Sequence, residues 1–322
     1  MDIRRRHGLK MAAATALSEA PDHKKLVLLW AGIGTALPLL ASVLNFILEF
    51  QIADTGGLSG IGLRSVLSTI QSLLSMSTTV LIPFWTLGYI GVTLRFARRE
   101  AAGYPCLLDG FRRFGPALRL ILLELAIYAI ICFICVQVGS TVLSFTPLAE
   151  PVYQVLEESQ QMLLSGVIDE SVLLAMTEAM IPILAICSIL CVVVLIPVMY
   201  RLRLTRLIIM DTPRCGALFA VRESLRLMGK NCMHLLRLDL SFWWYYLAQI
   251  LLSVLCYGDV ILPMLGISLP FSQNAAFFIF YIVALLAQLA LLYYFSARVQ
   301  TTYALFYNTL RIPPKEQNSL II

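Results

Sequence analysis

Charge is scarce in this 322-residue chain, at 13% of residues. A soluble domain carries about 25%, so the shortage excludes a water-soluble globule. Histidine is scarcer still. Only His7, His23 and His234 are present, and none lies within a long apolar run. A metal centre or a histidine general base at spanning depth is therefore not expected. The eight cysteines form no disulfide framework: Cys132, Cys135, Cys187 and Cys191 lie inside apolar runs, Cys106, Cys215 and Cys232 in basic stretches, and Cys256 near the far end of a span. Cys132 and Cys135 have CxxC spacing, but with no histidine near them they read as small packing residues. No basic stripe with interleaved aromatics lies outside the stretches that flank the apolar runs, so nucleic acid is not an expected partner. A cleavable signal peptide is not expected either. The first apolar run, Leu26 to Phe50, is longer than the 7–15 residues of a signal core.

What is abundant is apolar sequence, 59% of residues, with a mean hydropathy of +0.84. Twenty-three of the 24 Lys and Arg residues fall in four blocks, residues 1–25, 95–119, 201–237 and 298–315; Arg64 is the exception. Between them the apolar runs predict six spanning helices near 26–50, 66–96, 116–145, 181–199, 238–257 and 275–297. The connection 147–180 carries Glu150, Glu157, Glu158, Asp169, Glu170 and Glu178 and no Lys or Arg. This alternation is the positive-inside pattern. It predicts an all-α, polytopic helix bundle in the cell membrane, with both termini cytoplasmic: a basic segment 1–25, a six-span domain 26–310 and a tail 311–322.

Residues 215–230 have Leu218, Val221, Leu225 and Met228 at helical spacing, as in an amphipathic helix lying along the inner surface. Residues 105–115 and 8–19 are weaker candidates, and with the odd-numbered spans they suggest a threefold repeat near 1–100, 101–200 and 201–322. Two short helices are expected in the outer connection and a mobile turn at 53–62. Pro83 and Pro197 are expected kink sites.

Few residues offer chemistry. Gly57-Leu58-Ser59-Gly60 resembles the serine motif of rhomboid-type proteases, and Glu157-Glu158 the paired glutamates of some membrane metalloproteases. Both lack the histidines those mechanisms require, so no enzyme activity, catalytic residue or cofactor is expected. Glu124 is the one carboxylate well inside a span, a position usually reserved for function or for an interhelical ion pair. It reads as a tie to an arginine such as Arg119 or Arg201, or as an ion-coupling group. Asp239 opens the fifth span, and the aromatics from Trp243 to Tyr246 read as an interfacial belt or as a headgroup site.

Three segments carry a resemblance: Ile196–Tyr200, Ala220–Asn231 and Leu238-Asp239-Leu240-Ser241-Phe242-Trp243-Trp244. Gly88-Tyr89, Leu108–Gly115 and Tyr303–Tyr307 add to it. Together they resemble a bacterial family of multi-pass membrane proteins known only as a domain of unknown function, with IPG…Y, S..LM.G and L.LSF.GW motifs. Val198 and the Trp243-Trp244 pair depart from that pattern. The family is distantly similar to the membrane domains of glycerophosphodiester phosphodiesterases, which implies lipid association without catalysis. The expected function is a non-enzymatic component contacting the bilayer, anionic headgroups at the inner face, or a membrane-protein partner. Its candidate residues are Glu124, Arg119, Arg201, Asp239, Ser241, Trp243 and Trp244. The alternative is a small secondary transporter, or a subunit of one, with Glu124 in the pathway.

Overall fold

A computed structural model describes residues 3–54, 58–147, 150–155, 157, 170–212, 215–258, 261–262 and 273–311. Among these every regular element is helical. Six helices are long and apolar enough to cross a membrane: His23–Val43, Ser68–Ala97, Phe114–Ser144, Ala179–Asp211, Cys232–Leu255 and Phe277–Arg311. The chain is thus an all-α, multi-pass membrane protein.

It divides into two compact units, one of residues 1–118 with 204–322 and one of residues 119–203. The first begins with α1 (Ile3–Glu19), α2 (His23–Asp54) and α3 (Leu58–Ala97), then a tight turn Tyr104–Leu108 and α4 (Asp109–Arg112). The second unit is built from α5 (Phe114–Ser144), whose first turn belongs to the first unit, and α6 (Glu170–Leu202). The chain returns to the first unit with α7 (Thr205–Asp211), α8 (Ala217–Met228) and α9 (Cys232–Asp239). A single 3-10 turn, Leu240–Phe242, leads into α10 (Trp243–Leu255). Last come α11 (Gln273–Leu291), a π-helical turn Leu292–Ser296 and α12 (Ala297–Arg311).

Several expectations change. The acidic DESVLLAMTEAM stretch is no separate helix from Glu170 on, because it forms the first turns of α6; most of the outer connection, residues 158–169, lies outside the described residues. Leu58 to Gly62 are helical rather than a turn. Pro83 and Pro197, the expected kink sites, lie within α3 and α6. The thirds suggested by the repeat do not match the two units.

Burial concentrates where the basic blocks lie. The last third of α3 is enclosed by protein, with Phe84, Leu87, Tyr89, Val92, Leu94 and Phe96 buried. Buried faces of α1 (Leu9, Ala13, Leu17), α7 (Leu207, Ile208, Ile209) and α12 (Val299, Tyr303, Phe306, Tyr307) join it, and α3 packs directly on α1, α2, α4, α7 and α12. Trp30 stacks on Tyr89 at 4.0 Å, and the Trp85 indole donates to the Trp30 carbonyl at 3.0 Å. Mid-span side chains such as Leu73, Met76, Phe133 and Val193 stay exposed. Lipid tails are as apolar as leucine, so no hydrophobic force drives these side chains inward. That force acts only where water is present, and there the short helices have closed over a core.

One contact fixes the TyrProCysLeuLeu turn. A Cβ added to Gly88 would lie 1.8 Å from the Leu107 carbonyl oxygen, and one on Gly110 2.0 Å from that of Phe84. The two backbones touch, which only paired glycines allow. Residues 105–115 are therefore a clamp on α3, not the interfacial helix suggested by their composition.

Within the second unit, α5 and α6 meet through small residues: a Cβ on Gly139 would stand 2.9 Å from Cys187 Sγ, and the Cys191 thiol reaches the Cys132 carbonyl at 3.9 Å. The cysteines of these spans serve packing.

Candidate functional site

Three aspartates of the first unit are held by partners from other helices: Asp211 and Asp109 by arginines and Asp239 by a tyrosine. Asp211, at the end of α7, has a side chain 4% exposed. Arg98 Nη1 contacts its Oδ1 at 2.7 Å, Arg311 pairs with Oδ2, and the Tyr307 hydroxyl donates to Oδ2 at 2.9 Å. The ends of α3, α7 and α12 are thus pinned to one carboxylate. Asp109 accepts from Arg95 at 2.8 Å and from Arg112 at 3.2 Å. Beside it, Arg113 donates to the carbonyls of Ile209 and Met210 at 2.9 and 2.7 Å, capping the C-terminal end of α7, where a cation is favoured.

Asp239, one of the candidate residues, is buried at the point where the fifth span breaks. Tyr303 of α12 donates to Asp239, and its hydroxyl is in turn bonded to that of Tyr246. The 3-10 turn that follows leaves the Ser241 carbonyl free of the α-helical ladder, and Lys10 of α1 donates to it at 2.8 Å while lying 4.0 Å over the Phe242 ring. Burial, and then the Arg6 charge, lower the Lys10 pKa. Arg6 donates to the Arg237 carbonyl at 3.3 Å. Residues 8–19 therefore belong to a docked helix that crosses this break. The Cys215 thiol, buried beside α7, has its pKa raised by that burial, so it is a poor nucleophile.

The outer skin of this region is apolar and basic together. Helix α8 buries Ala217, Ala220, Ser224 and Met228 and exposes Leu218, Phe219, Arg222, Leu225 and Arg226. The expected stripe is thus split: Met228 turns into the protein, whereas Leu218 and Leu225 remain outside. Trp243 is 61% exposed and Trp244 38%, the latter edge-on to Phe295 at 4.4 Å. Leu240 and Met233 are exposed as well.

Glu124 lies in the second unit, buried at 4% exposure. Arg119 and Arg201 are exposed. Five residues separate Arg119 from Glu124, about 140° around one helix, so these two do not share a face. The structure thus gathers Asp239, Ser241, Trp243 and Trp244 into one region, while Glu124, Arg119 and Arg201 belong to the other unit. Asp211, Asp109, Lys10 and Tyr303 belong to this network as well, and composition alone did not single them out. Among the described residues no group of three or more His, Cys, Asp or Glu could hold a metal ion. No protein family, curated protein or solved structure matches the chain.

Proposed function

We propose that this protein is a non-enzymatic component of the cell membrane, with its basic region on the cytoplasmic side, where it engages anionic lipid headgroups or a membrane-protein partner. The observation that carries the reading is α8. One side is fastened to the core, and the other presents Leu218, Phe219 and Leu225 beside Arg222 and Arg226. Apolar side chains next to cations on an exposed helix suit the headgroup boundary, where each basic residue adds about 1 kcal/mol of attraction to an anionic leaflet. The lipid association implied by the family resemblance points the same way.

The test is reconstitution in nanodiscs of zwitterionic phospholipid with and without phosphatidylglycerol. Spin labels at Leu225 and Glu223 should differ in depth, Leu225 deeper, and the triple variant R222Q/R226Q/K230Q should retain less phosphatidylglycerol on extraction. Equal, fully aqueous accessibility at both positions would refute the reading.

A second reading, a small transporter, is favoured by the burial of Glu124 in a span. Glu124→Gln would then abolish a proton-dependent flux while thermal stability holds. A loss of stability with no flux in the parent protein assigns Glu124 to structure.

A further inference from the structure

We propose that a cavity in the spanning part of the first unit binds an uncharged, hydroxyl-bearing lipid. The cavity, about 320 Å³, lies among α2, α3, α10 and α11. That volume is within the range of sites for small ligands. Among the described residues no Lys, Arg, His, Asp or Glu lines it, so nothing there could neutralise a phosphate or a carboxylate. Three wall hydroxyls are turned into their own helices: Thr35 donates to the Ala31 carbonyl at 2.9 Å, Thr86 to Ile82 at 2.9 Å and Ser253 to Gln249 at 3.0 Å. The fourth, Tyr281, accepts from Ser42 at 3.1 Å and keeps its own proton for a partner.

Two further polar groups join the Tyr281 hydroxyl on the wall. Gln288 lines the cavity, and its side-chain amide has no hydrogen-bond partner among the described residues. Pro38 also lines it and has no N–H to donate to the carbonyl of Gly34, one turn back. Gly34 stands in open space, since a Cβ built there would meet nothing within 4 Å. Both groups lie at one depth: Gly34 is nine residues beyond Lys25 and Gln288 ten before Arg298, about 14 and 15 Å along their helices, near the middle of a roughly 30 Å hydrocarbon core. At that depth an amide donor and a backbone carbonyl relieved of its usual helical partner favour a polar ligand. The α11 ladder is also disturbed here. Leu292, on the cavity wall, begins the π-helical turn, a distortion that recurs at functional sites.

Water is a poor occupant. The volume would hold about ten molecules, each needing two or more polar partners, and the lining offers few: the Gln288 amide, the Gly34 carbonyl and the Tyr281 hydroxyl. A hydroxyl can accept from the Gln288 amide or donate to the Gly34 carbonyl, while its hydrocarbon chain covers the apolar wall. This site is separate from α8 and does not depend on the reading given to that helix.

The experiment uses the full chain in nanodiscs and hexadecanol carrying a diazirine on its chain. Photolabel should map to peptides containing Gly34 and Gln288, and unlabelled hexadecanol should displace it at least tenfold better than hexadecyl phosphate. Gly34→Leu, whose Cβ would meet nothing within 4 Å, should cut labelling about fivefold or more while elution and thermal midpoint stay unchanged. Gln288→Leu should weaken competition about fivefold, the worth of one hydrogen bond. The triple variant of α8 should label like the parent. Label spread evenly onto lipid-facing Ile282 and Leu286, or equal competition by the phosphate, overturns the proposal. Should Gly34→Leu fail to accumulate, the Gln288→Leu shift and the competitor ratio decide the matter.

Discussion

At the scale of single residues, the carboxylate of Asp211 ties three helix ends together. Removing it leaves two guanidiniums, Arg98 and Arg311, beside each other with only the weaker acceptors Asn308 and Tyr307. Asp211→Ala should destabilise by about 2 kcal/mol, less than the roughly 3–5 of a fully buried pair, because both guanidiniums stay part-exposed. Thermal unfolding in detergent measures this; an unchanged midpoint would mean the triad is incidental. Gly88 makes a sharper case. Gly88→Ala drives a methyl into the Leu107 carbonyl, and neither backbone can yield without opening the clamp, so the variant should lose more than about 3 kcal/mol or fail to accumulate. Gly32→Ala, with nothing within 4 Å of its Cβ, should be silent. The sequence pointed to Asp239 because it opens a span, but it offered no reason to prefer Asp211. The available signal was an acid inside a basic block, a property shared by Asp109 and Asp211. Which arginine each acid meets depends on how distant helices pack, and local spacing carries no record of that.

At the scale of elements, helix ends and breaks carry the information. Helix α3 closes on Arg99, which has a φ of 58°. The Glu100 N–H reaches back to the Arg95 carbonyl at 2.9 Å, as in a glycine-terminated helix. A side chain in that left-handed conformation costs about 1 kcal/mol, and the Arg99–Glu19 pair, with both partners well exposed, returns little. Arg99→Gly should therefore raise the thermal midpoint; a fall would show that the ion pair outweighs the backbone strain. The break between α9 and α10 gives a pH test. Burial lowers the Lys10 pKa, so the folded state holds that proton less tightly than the unfolded chain. Stability then rises with pH in the window between the lowered value and the model-peptide value of 10.5. Lys10→Met should flatten that rise in unfolding curves recorded from about pH 8 to pH 11. Spans were legible to within a few residues at most ends because apolar runs of sufficient length have few alternatives. The face that α8 turns outward was not, because an amphipathic stripe looks the same whether protein or lipid covers it.

At the scale of the whole molecule, hydrophobic burial and charge point to the same side of the membrane. The enclosed end of α3 carries Arg95 and Arg98, the helix laid across it is α1, and the segments closing the core are α7 and α12. Burial of this kind is favoured by water, and basic residues cluster around it, so the N-terminal helix, the α7–α9 segment and the end of α12 are expected on a single side. An even number of spans separates them, which makes the arrangement self-consistent. The acidic connection between α5 and α6 follows an odd number of crossings if all six helices span, and is expected on the opposite side. Reporter fusions at Ser165 and after Arg311 should therefore report opposite sides, with the Arg311 fusion cytoplasmic, because translocation retains Lys and Arg inside. Fusions reporting the same side would mean that one of the six helices does not cross, and the fifth, broken at Asp239, would be the first to question.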